Sequence, residues 1–158
     1  MDETNQRIAN FIKMFSMFMV FGSLLYMYAY ANDRLNFMNP SPNWITELPK
    51  AQLFYVGLGV FAILNLVMNV GISMYKNAKG IDNRSILFKS KEVKKKLLMW
   101  FTLFWAGINF LIASIITYMA LIKINDVTNI SEYVIIPIIG FLSLIAILIG
   151  LIGTVVRK

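Results

Sequence analysis

Apolar residues gather in four long runs, about 8–31, 50–76, 95–122 and 131–156, separated by short polar segments. Each run is long enough to cross a hydrocarbon core of about 30 Å, which takes about 20 helical residues. A backbone in lipid must satisfy its own hydrogen bonds, so all four runs read as helices. The pattern predicts an all-α fold, an integral membrane four-helix transmembrane bundle occupying 1–158 as a single domain. An outer loop, 32–49, and a basic loop, 77–94, would join the first three helices. The first run does not read as a cleavable signal, because acidic Asp2 and Glu3 precede it and no small-residue cleavage site follows.

Composition sharpens this picture. The chain is 58% apolar and 15% charged, with a mean hydropathy of +0.67, whereas soluble domains hold about 25% charged residues. The basic residues are unevenly placed. Lys76, Lys79, Arg84, Lys89, Lys91, Lys94, Lys95 and Lys96 surround the middle loop, with Arg7, Lys13, Arg157 and Lys158 toward the ends. Only Arg34, Lys50 and Lys123 fall beside the other two loops. An excess of Lys and Arg marks cytoplasmic loops, so both termini and the middle loop are expected in the cytoplasm. The +7 charge is then a membrane-surface feature, and no nucleic-acid partner is expected. Tyr26, Tyr28, Tyr30, Trp44, Tyr55, Tyr118 and Tyr133 fall near the outer boundary and Tyr75 and Trp100 near the inner one, as interfacial aromatic belts do.

The chain has no Cys and no His. Thiolate zinc, Fe–S clusters, His-ligated haem and Cys or His nucleophiles therefore have no residues to use. Its ten Met residues read as flexible apolar filler. The carboxylates, Asp33, Glu47, Asp82, Glu92, Asp126, Glu132 and the N-terminal pair, lie outside the apolar runs or, for Glu132, at the edge of the last, and do not cluster. No enzyme activity, cofactor or metal site is expected.

Polar residues inside the runs are the candidate chemistry. Lys13 is the sole charge away from the very ends of the runs, about one turn inside the inner end, where its ammonium would reach outward to the headgroups. Counting about 1.5 Å per residue from the helix ends brings Ser23, Asn65, Asn109 and Ser143 to one level near the midplane. Asn69 and Ser73 extend the Asn65 face. An unsatisfied amide in lipid costs several kcal/mol, so this stripe should turn inward. Ser23, Asn65, Asn69, Asn109 and Ser143 would form an interhelical polar layer or contact a small solute.

Three further features bear on partners. The outer loop carries Phe37, Met38, Trp44 and Ile45 among prolines, and Phe37 and Trp44 are candidate contacts with the membrane surface or another protein. Lys91, Lys94, Lys95 and Lys96 are candidate contacts for an acidic lipid or acidic partner. Phe11, Phe15 and Phe18 line one face of the first helix, a ridge next to Gly22 that faces lipid or a partner helix. A faint echo of Phe15-Ser16-Met17-Phe18 in Phe101-Thr102-Leu103-Phe104 raises a duplication of two helix hairpins. Pro137 is expected to bend the last helix.

These features predict a noncatalytic accessory or scaffold subunit of a larger membrane protein complex, in a bacterial inner membrane. The alternative is a small oligomeric channel or carrier that uses the midplane Asn residues.

Overall fold

The computed structural model describes residues 2–30, 34–35, 48–78, 91–124 and 133–156. Nearly all the described residues are α-helical, and the rest include one two-residue strand pair. The helices are α1 (Asp2–Tyr30), α2 (Lys50–Asn77), α3 (Lys91–Ile124) and α4 (Ile135–Val156). All four are long and apolar enough to cross a membrane. Strands β1 (Arg34–Leu35) and β2 (Leu48–Pro49) pair antiparallel, Leu35 opposite Leu48. This pairing closes the base of the α1–α2 connection and went unforeseen in the sequence. Phe37 and Trp44 lie outside the described residues, as do Ile86 to Phe88.

Three helix boundaries differ from those expected. Helix α1 starts at Asp2 rather than 8, and α3 starts at Lys91 rather than 95. Polar residues at helix ends remain helical because propensity and the following turns carry them; hydropathy marks where lipid begins, not where the helix does. Helix α4 starts at Ile135, so Pro137 is its third residue. In the first turn a missing backbone N–H breaks no helical bond, which removes the reason to expect a bend there.

Helix α3 is the central element, packed most extensively on α1 and then on α4, while α2 makes lighter contact with α1 and α3. Contacts across each seam fix the directions. Ser16 meets Asn109 and Ser23 meets Thr117, so α1 and α3 run parallel. Lys13 meets Asn69 and Tyr28 stacks near Phe54 at 5.0 Å, so α2 runs antiparallel to α1. Gly150 lies against Trp100 and Gly140 against Leu111, so α4 runs antiparallel to α3. The start of α1, the end of α2, the start of α3 and the end of α4 therefore share one end of the bundle, the basic end.

The α1–α3 seam consists of small and medium side chains at alternating spacings of three and four. Ala9, Ser16, Val20, Ser23 and Met27 on α1 and Thr102, Ala106, Asn109, Ala113 and Ala120 on α3 are all buried. Small residues let membrane helices approach closely, and this spacing is that of left-handed, knobs-into-holes packing. Val20, Leu24, Met27, Ala113 and Ala120 form one apolar cluster, with Phe54 and Phe61 of α2 packed on it. The α3–α4 seam closes on glycines. A Cβ on Gly107 would come 2.9 Å from Ile147, and one on Gly140 would come 3.2 Å from the Leu111 backbone.

The remaining surface of the helices is strongly apolar. Tyr55, Val60, Ile63, Leu66, Val67 and Met74 are exposed on α2, and Ile139, Phe141, Leu142, Ile149 and Ile152 on α4. Phe11, Phe15 and Phe18 are exposed, and so is Gly22 beside them. The two hairpins are packed unequally. Ser16 lies beside Asn109, seven residues past its supposed counterpart Thr102; a parallel duplication would set Ser16 and Thr102 at one level.

Candidate functional site

The buried polar residues of the described chain are Ser16, Ser23, Asn65, Thr102 and Asn109. Most of them meet at one level of the bundle. Trp105 of α3, 2% exposed, donates its indole N–H to Asn65 Oδ1 of α2 at 2.8 Å. Asn65 Nδ2 in turn donates to the Phe61 carbonyl of its own helix at 2.9 Å. One turn along α3, Asn109 Nδ2 donates to Ser16 Oγ of α1 at 3.2 Å. Ser16 Oγ donates its O–H to the Lys13 carbonyl at 2.6 Å. Lys13 Nζ crosses the α1–α2 seam and donates to Asn69 Oδ1. Three helices thus contribute to one cluster: Lys13, Ser16, Asn65, Asn69, Trp105 and Asn109.

Asn109 is fully buried, and its Oδ1 has no hydrogen-bond partner. A buried carbonyl left unpaired costs about 1–3 kcal/mol, so this oxygen is a latent acceptor inside the cluster.

Lys13 lies well inside the bundle along the axes of its neighbours. It is level with Asn69, and Asn69 precedes Lys76 on α2 by seven residues, about 10 Å along a helix. On α3 the same level falls near Ala106, ten residues past Lys96, or about 15 Å. Lys13 is therefore two to three turns from the lysines that close α2 and open α3, and six residues past Arg7 on its own helix. Docking on α3 sets the register of α1 against the other helices. For a helix spanning a bilayer, a Lys near the centre costs about 2.5–3.5 kcal/mol on insertion scales. The acids of the four helices are Asp2, Glu3 and Glu92, all at the basic end. None is level with Lys13.

The sequence-derived layer divides. Asn65 and Asn109 are buried in the cluster at one level: the Tyr28–Phe54 and Leu24–Gly57 contacts set Asn65 opposite residues 16–17 of α1, and Asn109 meets Ser16. Ser23 is buried but lies two turns farther along α1, where Thr117 Oγ1 is 3.0 Å away. Ser23 also donates to the Met19 carbonyl at 2.8 Å, so Thr117 supplies the proton of the Ser23–Thr117 bond. Ser143 is half-buried and donates to the Gly140 carbonyl of its own helix at 2.7 Å, as Ser does in helices. Asn69 and Ser73 are exposed rather than turned inward; α2 packs lightly, so only Asn65 is buried on it. Of the four residues expected at one level, Asn65, Asn109 and Ser143 share it by the register of the neighbouring contacts, and Ser23 does not.

The candidate lysines sit in the first turns of α3. Lys91, Lys95 and Lys96 are exposed. Lys94 Nζ donates to the Ala78 carbonyl at 2.7 Å and lies 6.0 Å from the Tyr75 ring centre. Tyr75 meets Phe101 edge to face at 5.3 Å. Lys94 thus ties the start of α3 to the end of α2.

Sequence reasoning missed Ser16, Thr102, Trp105 and Thr117. A seven-residue spacing would have found part of the set: Ala9, Ser16 and Ser23 on α1, and Ala106, Ala113 and Ala120 on α3. No family model, curated protein or solved structure matches the chain.

Proposed function

We propose that the protein is a noncatalytic accessory or scaffold subunit of a larger membrane protein complex. The observation that carries this reading is the use made of the buried polar groups. Asn65, Trp105, Ser16, Asn109, Ser23 and Thr117 hydrogen-bond across helix seams, so their polarity is spent on joining helices. Bonds of this kind contribute about 0.6–2 kcal/mol each in membranes and fix helix register. The excess of Lys and Arg at the basic end supports insertion with both termini in the cytoplasm, and a bacterial inner membrane suits this topology. The exposed first-turn lysines of α3 suit an anionic lipid surface.

The test is purification of the tagged protein from its native membrane in mild detergent, followed by mass spectrometry. The reading expects one partner in fixed stoichiometry that survives several detergents. A monodisperse chain without partners would overturn it.

One observation favours the alternative of a small channel or carrier: the unpaired Asn109 Oδ1 beside Ser16 would accept a hydrogen bond from a passing solute. In that reading Asn109→Leu abolishes flux into liposomes without loss of folding. Absence of flux through well-folded wild-type protein removes the alternative.

A further inference from the structure

We infer that Lys13 and Asn69 form the receptor for a carboxylate carried by a membrane helix of a partner protein. This rests on the subunit reading above and names the chemistry of the partner. Four observations lead to it. Lys13 carries its charge two to three turns away from the basic end. The one side-chain hydrogen bond described for its ammonium goes to a neutral amide, Asn69 Oδ1. No Asp or Glu of the four helices stands at that level. Asn69 is exposed at the edge of the lightly packed α1–α2 seam, beside exposed Leu66.

A charge in the apolar layer requires an opposite charge or water, and an exposed seam admits a partner from the side. Geometry separates a carboxylate from a lipid phosphate. The Lys13–Asn69 pair keeps the α1–α2 register of Tyr28 with Phe54 and of Leu24 against Gly57. The ammonium therefore extends sideways across the seam, not down toward the headgroups about 10 Å away. The described helices of a second copy bring no acid to that level either. The occupant that fits is a foreign helix with Asp or Glu within its span. Asn69 would hold the ammonium in place and donate its own Nδ2–H to the incoming carboxylate.

The experiment compares Lys13→Met, Lys13→Arg and wild type, each purified from native membranes. Detergent-solubilised thermal unfolding of each chain serves as the folding control. The inference expects Lys13→Met to lose at least tenfold of the copurified partner while Lys13→Arg retains it. The partner found by mass spectrometry should have an intramembrane Asp or Glu. Changing that acid to its amide should give the same loss, and exchanging the charges (Lys13→Glu with the partner's acid changed to Lys) should restore the complex. Equal recovery of partner with Lys13→Met overturns the inference and leaves the subunit reading standing. A wild-type chain that purifies alone overturns both. Loss of bound anionic phospholipid, with partner recovery unchanged, assigns the site to phosphate and also overturns the inference.

Discussion

Two asparagines of the same cluster illustrate how differently a buried amide can act. Asn65 satisfies Trp105, whose indole has no other described acceptor. Asn109 donates to Ser16, but Ser16 already has the Lys13 carbonyl for its own proton, and the Asn109 carbonyl is itself unpaired. Truncation should therefore separate them. Asn65→Ala orphans a buried N–H and is expected to destabilise by about 1–3 kcal/mol from that loss alone. Asn109→Ala removes an orphan along with its cavity cost and is expected to destabilise less. Equilibrium unfolding in mixed micelles measures both, and equal losses would contradict the assigned roles. Sequence alone singled out both amides, since an amide in an apolar run is conspicuous. It could not find Trp105 or Ser16, because tryptophan is ordinary at membrane boundaries and serine often bonds within its own helix. Nor could it set the depth of Lys13, which depends on how α1 slides along α3.

At the scale of elements, seams differ in what fills them. The α3–α4 seam depends on the absence of side chains at Gly107, Gly140 and Gly150, where an added Cβ would collide with Ile147, Leu111 or Trp100. Gly22, Gly59, Gly71 and Gly153 have open space around the same position. Gly140→Leu is thus expected to dislodge α4, with overpacking costs of about 1–3 kcal/mol or more. Gly153→Leu should leave the melting temperature nearly unchanged. Ala113→Leu tests the α1–α3 seam in the same way, because Ala113 is 3% exposed among Val20, Leu24 and Met27. The four helices were legible from hydropathy because lipid demands long unbroken apolar runs. Which helices embrace was not, because every run is apolar enough to face lipid. The heptad of small residues on α3 was the available clue, and a search restricted to paired glycines passes over it.

For the whole molecule, alternation of direction places three elements' polar ends together. A cysteine-free chain makes this directly measurable with single introduced cysteines. With the proposed orientation, Lys50→Cys should react with an impermeant maleimide in intact cells. Thr4→Cys and Asn77→Cys should react after the membrane is opened. Labelling of Thr4→Cys and Asn77→Cys from opposite faces would contradict the alternating bundle, and a uniform reversal would contradict the orientation alone.

The most extensive helix pairing joins residues such as Ser16 and Asn109, 93 positions apart. During synthesis of a chain that inserts as proposed, α1 would enter the bilayer long before the helix that covers it exists. Until α3 emerges, Ser16, Ser23 and the Lys13 charge have at most the light company of α2. A chain halted after residue 78 would hold these groups open to lipid or to any quality-control protease that recognises polar residues in the membrane. Assembly of this small bundle is therefore expected to be completed only with α3. Its half-life in the cell should rise sharply once translation has passed residue 120, and pulse-chase labelling of nested truncations would show the step.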